Sequence, residues 1–276
     1  MPELPEVETV RRGLEPVLCD QRIVDVEVRR PDLRIPFPLD FARRLAGRRV
    51  TGLRRRAKYL LIDLDDAEVV ICHLGMSGNF LVRWRTGSLP GPHDHVVFTL
   101  EDGNEVVFND QRRFGLMTLV AGTAENDHPL LRRLAPDPLD NSFTSGSFLV
   151  RLAGRRTPVK AALLNQEIVG GVGNIYASES LHQARISPRR LAAHIGPGRA
   201  AALADALGDV LRRAIAAGGS SLRDHVRTSG EPGYFQHDFR VYGRENDPCP
   251  TAGCAGIIRR IVQSGRSTYL CGHCQR

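Results

Sequence analysis

Four of the six cysteines sit near the C-terminal end in the pattern Cys249-x4-Cys254-x16-Cys271-x2-Cys274. Two close pairs separated in this way match a four-thiolate zinc centre, one pair on each knuckle. Four thiolates fill the coordination sphere, so one Zn2+ held here is expected to be structural, not catalytic. His273, between the last two cysteines, is the competing ligand, but the spacing favours sulfur. Disulfides are the alternative, and nothing else in the chain suggests an oxidising compartment. Cys19 and Cys72 stand apart and read as buried apolar fillers.

Other candidates for chemistry are amines. Of the 38 basic residues all but Lys58 and Lys160 are Arg. An ammonium is a compact charge that loses its proton when desolvated, which a guanidinium does not do. These two lysines therefore stand out in a chain that otherwise uses Arg for positive charge. The chain also begins Met-Pro. Removal of Met1 would expose a secondary amine with a pKa of about 7.7–8, largely able to attack an electrophilic carbon. Condensed with an aldehyde carbon it gives an iminium, a good electron sink for elimination, and Glu3 beside it could supply a proton. Arg266 follows the Ser264-Gly265 turn between the cysteine pairs, where it could reach a phosphate or groove.

Net charge is +7, and its distribution is uneven. Residues 22–56 are rich in Arg, and residues 249–276 carry Arg259, Arg260, Arg266 and Arg276 with no acid. Two basic segments far apart suggest a polyanionic partner, because neutralising phosphates releases counterions. No apolar run approaches the roughly 18 residues that span a bilayer, so no membrane association is expected. The acidic, proline-bearing start MPELPEVETV is unlike a signal or transit peptide, which points to an intracellular protein.

These residues need elements to hold them. Val7, Val10, Leu14 and Val17 fall at helical spacing and predict an amphipathic helix over 3–18, with Pro16 ending or kinking it. From about 22 to 120 the pattern is strand-like: Val24, Val26 and Val28 alternate, and KYLLIDL, EVVICHL, HVVFTL, EVVFND and LMTLV follow, with a hairpin turn at EDGN. Many short strands with tight turns predict an antiparallel sandwich. A polar, Pro-rich stretch follows, then a helical stripe from Leu203 to Ile215 stopped by Gly218-Gly219. Ser264-Gly265 between two β-like runs predicts a zinc-held hairpin.

MPELPEVETVRRGLEP closely resembles the start of the formamidopyrimidine-DNA glycosylase family. So do RRAKYLL at 55–61, HLGMSG at 73–78, QRRFG at 111–115, GVGNIYASE at 171–179, PGYF at 232–235, VYGR at 241–244 and the cysteine tail. The motifs are collinear and cover nearly the full chain. The resemblance implies an α+β multidomain fold: an N-terminal antiparallel β-sandwich with an N-terminal helix over 1–121, a linker at 122–145, a helical helix–two-turn–helix domain with a lesion-capping loop over 146–240, and a zinc finger at 241–276.

It also implies a bifunctional glycosylase and abasic-site lyase that excises oxidised purines from damaged double-stranded DNA by β,δ-elimination. Pro2 is then the nucleophile at C1′ and Glu3 its acid–base partner. Lys58, read as lying on the strand KYLL, contacts a phosphate, and Lys160 contributes to excision of oxidised guanine. Asn174 and Arg266 clamp phosphates, with His73 and His93 as further contact or positioning residues. Met76, Arg112 and Phe114 fill the space left by an everted base. Without the family, Met76 and Phe114 read as core. Residues 220–235 resemble a loop that folds over the base. A monomer in the bacterial cytoplasm, at the nucleoid, is expected.

Three departures from the family pattern bear on this. The first cysteine pair has four intervening residues where two are commoner, Gln111 replaces a Pro, and Asn165 replaces a frequent Asp. An endonuclease VIII-like preference for oxidised pyrimidines, a catalytically silent damage binder and a zinc-ribbon regulator are the competing readings. Leu4, Lys160 and RRFG favour the purine branch.

Overall fold

The computed structural model describes residues 2–84, 90–220, 228 and 231–276. The elements are α1 (Leu4–Leu18), β1 (Ile23–Val28), α2 (Phe41–Leu45), β2 (Val50–Arg56), β3 (Tyr59–Leu64), β4 (Glu68–His73), β5 (Asn79–Arg83), β6 (Asp94–Leu100), β7 (Glu105–Asn109), β8 (Leu116–Ala121), α3 (Ser145–Leu152), α4 (Val159–Leu164), α5 (Asn174–Gln183), α6 (Pro197–Ala216), β9 (Ile258–Gln263) and β10 (Arg266–Cys271). They fall into two compact units, Met1–Arg132 with Ala217–Tyr234, and Arg133–Ala216 with Phe235–Arg276. The cysteine tail thus belongs with the helices, and 217–234 returns to the first unit. That return has local causes: Gly218 and Gly219 both take positive φ, and Val82 N–H donates to the Thr228 carbonyl.

In the first unit two four-stranded antiparallel sheets run in the orders β1-β6-β7-β5 and β2-β3-β4-β8. Their inner faces and the apolar stripe of α1 share one core, with Val10, Leu14, Leu60, Val70, Phe80 and Phe108 among its members. β1 departs from simple alternation. A register shift between Ile23 and Asp25 turns Val24 outward, so that Ile23 and Val26 face the core. Pro16 does not end α1. It is exposed, so the carbonyl that lacks its N–H partner can meet water, and buried Val17 and Leu18 hold the last turn down.

In the second unit α6 packs on α3 and α5, and β10 lies on α5. β9 and β10 pair through the turn at Ser264 (φ 48°) and Gly265 (φ 72°), the backbone that a two-residue hairpin requires. An aromatic series links the helices to this hairpin: Tyr176, Phe235, Phe239, Tyr242 and Tyr269 follow one another at centroid spacings of 5.8, 5.7, 5.6 and 5.0 Å. Among the described residues no helix is long and apolar enough to cross a membrane.

Candidate active site and zinc centre

At the start of α1, Pro2 and Glu3 are both buried. Glu3 is the N-cap in extended conformation, and its N–H donates to Glu6 Oε2 at 2.8 Å. The other Glu6 oxygen accepts the Ser220 N–H at 2.9 Å and its hydroxyl at 3.0 Å. One buried carboxylate therefore fixes both the helix start and the chain leaving Gly219. A side chain at Gly219 would press on Glu6. Its spacing of three from Glu3, a capping-box spacing, is the signal the sequence carries for it. Met1 and most of the expected capping loop, 221–227 and 229–230, lie outside the described residues.

Lys58 occupies the tight turn between β2 and β3, after Ala57 at φ 53°, not the strand itself. His73 pairs with Tyr59 across β3 and β4, and the two rings meet edge to face at 4.9 Å. Burial, followed by the charges of Lys58 and Arg34, pushes His73 down to about 4. The ring is neutral at physiological pH, and its Nδ1 accepts the Gly75 N–H at 2.9 Å.

Two loops carry Met76, Arg112 and Phe114, and a buried acid joins them. Asp110 accepts the Ser77 hydroxyl at 2.6 Å and the Gly115 N–H at 2.7 Å, while Ser77 Oγ accepts the Arg112 N–H at 3.0 Å. The His93 carbonyl accepts the Asp110 N–H at 2.9 Å, and His95 Nε2 donates to the Asp110 carbonyl at 2.8 Å. Gly75, at φ 64°, lies against the backbone of Phe114 and Gly115, where any side chain would collide. Phe114 is 45% exposed, with the Arg112 guanidinium 5.0 Å from its ring centroid. Its residue type had suggested core; its loop holds it out. Met76 is half-buried. Asp110, Ser77 and His95 escaped sequence reading because their partners are distant in the chain.

In the second unit Lys160 is 1% exposed. Its ammonium donates to Asn174 Oδ1 at 2.6 Å, Thr268 Oγ1 at 2.7 Å and the Ser267 carbonyl at 3.0 Å. Asn174 opens α5 and sends Nδ2 to the same Ser267 carbonyl at 3.0 Å. One buried amine thus ties α4, α5 and β10 together. Glu179 is a second hub: it accepts the backbone N–H groups of Arg240, Val241 and Tyr242 at 2.8–3.0 Å. Burial raises its pKa against the lowering by those donors. Asn165 keeps the acceptor that an Asp would offer, taking the Glu167 N–H at 2.9 Å, so that departure leaves the turn intact. Arg266 is exposed at the start of β10.

The four Sγ atoms of Cys249, Cys254, Cys271 and Cys274 lie within 4.8 Å of one another. Cys249 and Cys274 are 3.8 Å apart, Cys254 and Cys271 3.6 Å. Ligands about 2.3 Å from a tetrahedral zinc stand roughly 3.8 Å apart, so the set fits one structural Zn2+. The longer first knuckle still closes, with Cys254 N–H on the Thr251 carbonyl and Cys249 N–H on that of Gly256. His273 is exposed, its Nδ1 3.3 Å from Cys254 Sγ, and four sulfurs leave no position for it.

The arginines of 22–56 behave otherwise than their density suggested. Arg44 pairs with Glu68, Arg48 with Asp66, Arg49 with Glu101 and Arg55 with Glu8. Arg54 holds both Asp63 and Glu125 at 2.6 Å. Much of this charge is answered within the unit, while Arg30 and Arg34 are exposed.

Residues 1–117 match the formamidopyrimidine-DNA glycosylase N-terminal domain, 134–226 its H2TH domain, and 246–276 the zinc finger found in FPG and IleRS. The formamidopyrimidine-DNA glycosylase of Cereibacter sphaeroides is 56% identical, with all of both chains covered. The Thermus thermophilus MutM (FPG) structure is 40% identical, covers 99% of this chain and 98% of its own, and superposes with a TM-score of 0.88. A Lactococcus lactis FPG mutant in complex with Fapy-dG containing DNA is 31% identical over 100% of both chains, with a TM-score of 0.91. From its buried N-terminal proline to its four-cysteine hairpin, the chain belongs to the formamidopyrimidine-DNA glycosylase family.

Proposed function

We propose that this chain excises oxidised purines from damaged double-stranded DNA and cleaves the strand at the resulting abasic sugar, with Pro2 as nucleophile. The observation that carries the mechanism is the start of α1, where Pro2 and Glu3 are buried together and Glu6 fixes the turn. Burial and the positive end of the helix dipole both disfavour an ammonium at that position, which favours a neutral, nucleophilic amine once Met1 is gone. Attack of the Pro2 nitrogen on C1′ forms the C–N bond as the bond to the base breaks, and the proton shed by the Pro2 nitrogen balances the one the departing base takes up. Glu3 gives a proton to the ring oxygen as the sugar opens to the iminium. The iminium takes up electrons when a C2′ proton departs, expelling the 3′ phosphate, and loss of a C4′ proton in a second elimination expels the 5′ phosphate.

Eversion of the base costs a few kcal/mol of stacking and pairing. Phe114 and Met76 act as wedges, and Arg112 hydrogen-bonds the orphaned partner base. Lys58, with His73 and His93 shaping the adjoining loops, receives a phosphate. Arg266 and Asn174 hold others, and Lys160 serves excision by positioning Asn174 and β10. Because one chain carries every role, a monomer suffices, acting on chromosomal DNA in the bacterial cytoplasm. On a duplex with 8-oxoguanine opposite cytosine the expected products are the free base and a one-nucleotide gap with phosphate at both ends. Failure to release the purine, or faster attack on thymine glycol, overturns this specificity.

A further inference from the structure

The zinc hairpin has a neighbour that the ligand set does not require. His182, near the C-terminal end of α5, is 2% exposed. Its Nε2 lies 3.4 Å from Cys249 Sγ and 3.4 Å from Thr251 Oγ1. Nδ1 is buried without a hydrogen-bond partner among the described residues. Thr251 belongs to the four-residue spacer between Cys249 and Cys254, so the longer knuckle brings its hydroxyl to the ring.

A neutral imidazole carries one proton, and the surroundings decide where. On Nδ1 the proton would be a buried donor with no acceptor, and the Nε2 lone pair would face a thiolate. On Nε2 it is donated to the sulfur, and only a lone pair goes unmatched. An unsatisfied donor is the costlier state.

We propose that His182 is an outer partner of the zinc site, its Nε2–H donating to the Cys249 thiolate. Four thiolates around a divalent ion carry excess negative charge, and this hydrogen bond draws part of it off Cys249. It also anchors the first knuckle to α5, the helix that begins at Asn174. Outer partners of this kind orient ligands and tune how tightly the metal is held.

The test uses the full-length protein with zinc content measured first, so that an empty site is distinguished from a weakened one. Zinc transfer to 4-(2-pyridylazo)resorcinol is followed for wild type, H182F and H182Q. H182F is expected to release zinc about 10–100-fold faster, the scale of losing an outer-shell partner. H182Q, whose amide N–H can reach the same sulfur, restores slow release. In the cobalt-substituted protein the thiolate-to-metal charge-transfer band of H182F shifts to lower energy. Equal release by wild type and H182F, with an unshifted band, overturns the proposal. Should H182F not fold, 15N shifts of the wild-type His182 ring decide: protonated Nε2 supports the hydrogen bond, protonated Nδ1 refutes it.

Discussion

The two arginine-rich segments look alike in sequence and are used differently. In 22–56, Arg44, Arg48, Arg49, Arg54 and Arg55 turn onto carboxylates brought from elsewhere in the same unit. In 249–276 no acid is present; Arg259 and Arg266 are exposed, and Arg260 meets Glu245 only at 4.0 Å. Charge density along a chain signals a polyanion only where the fold leaves it facing solvent. The second unit adds a contrast of its own. Its one lysine is turned inward and organises the hairpin that presents Arg266.

Lys160→Met puts the most at stake in that contrast. It takes the ammonium donor away from Asn174 Oδ1 and Thr268 Oγ1 in a buried site, and a loss of about 3 kcal/mol is expected in denaturant unfolding. A stable variant with normal excision would show that the buried amine organises nothing.

The first unit makes a pH prediction. Its folded-state His73 is pushed down to about 4, from the ordinary histidine value of 6.5, by burial and then by Lys58 and Arg34. Between those values the unfolded chain binds more protons than the folded one, so stability is present above pH 6.5 and lost as pH falls toward 4. The contribution is at most about 3 kcal/mol, the free-energy equivalent of that separation. His73→Phe should flatten the stability–pH curve in that window; an unchanged slope assigns the loss to other groups.

Arg266→Ala should weaken binding to lesion duplex at low salt and reduce the slope of log affinity against log salt by about one. Arg44→Ala is the matching change in the first segment: the same salt slope as wild type, with stability altered by under about 1 kcal/mol. Equal salt slopes for the two variants would erase the distinction between the segments.

Much of the architecture was legible because it rests on periodicity and spacing. The strand runs from KYLLIDL to LMTLV, the α6 stripe and the Ser264-Gly265 turn all carry local signals. The β1 bulge and the passage of α1 through Pro16 did not, since each depends on what packs behind it. At the site, exposed residues were reached through family resemblance, and residue type alone put Phe114 in the core. Asp110, Glu179 and His182 remained hidden for a common reason. Each is a buried polar group whose partners are brought to it by tertiary structure, so nothing beside it in the sequence marks its work.

The most direct measurement is borohydride trapping on an 8-oxoguanine duplex, followed by mass mapping of the adduct peptide. One covalent adduct is expected, on the peptide that begins with Pro2, attached through its nitrogen. An adduct on Lys58 or Lys160, or none from protein shown to lack Met1, contradicts it.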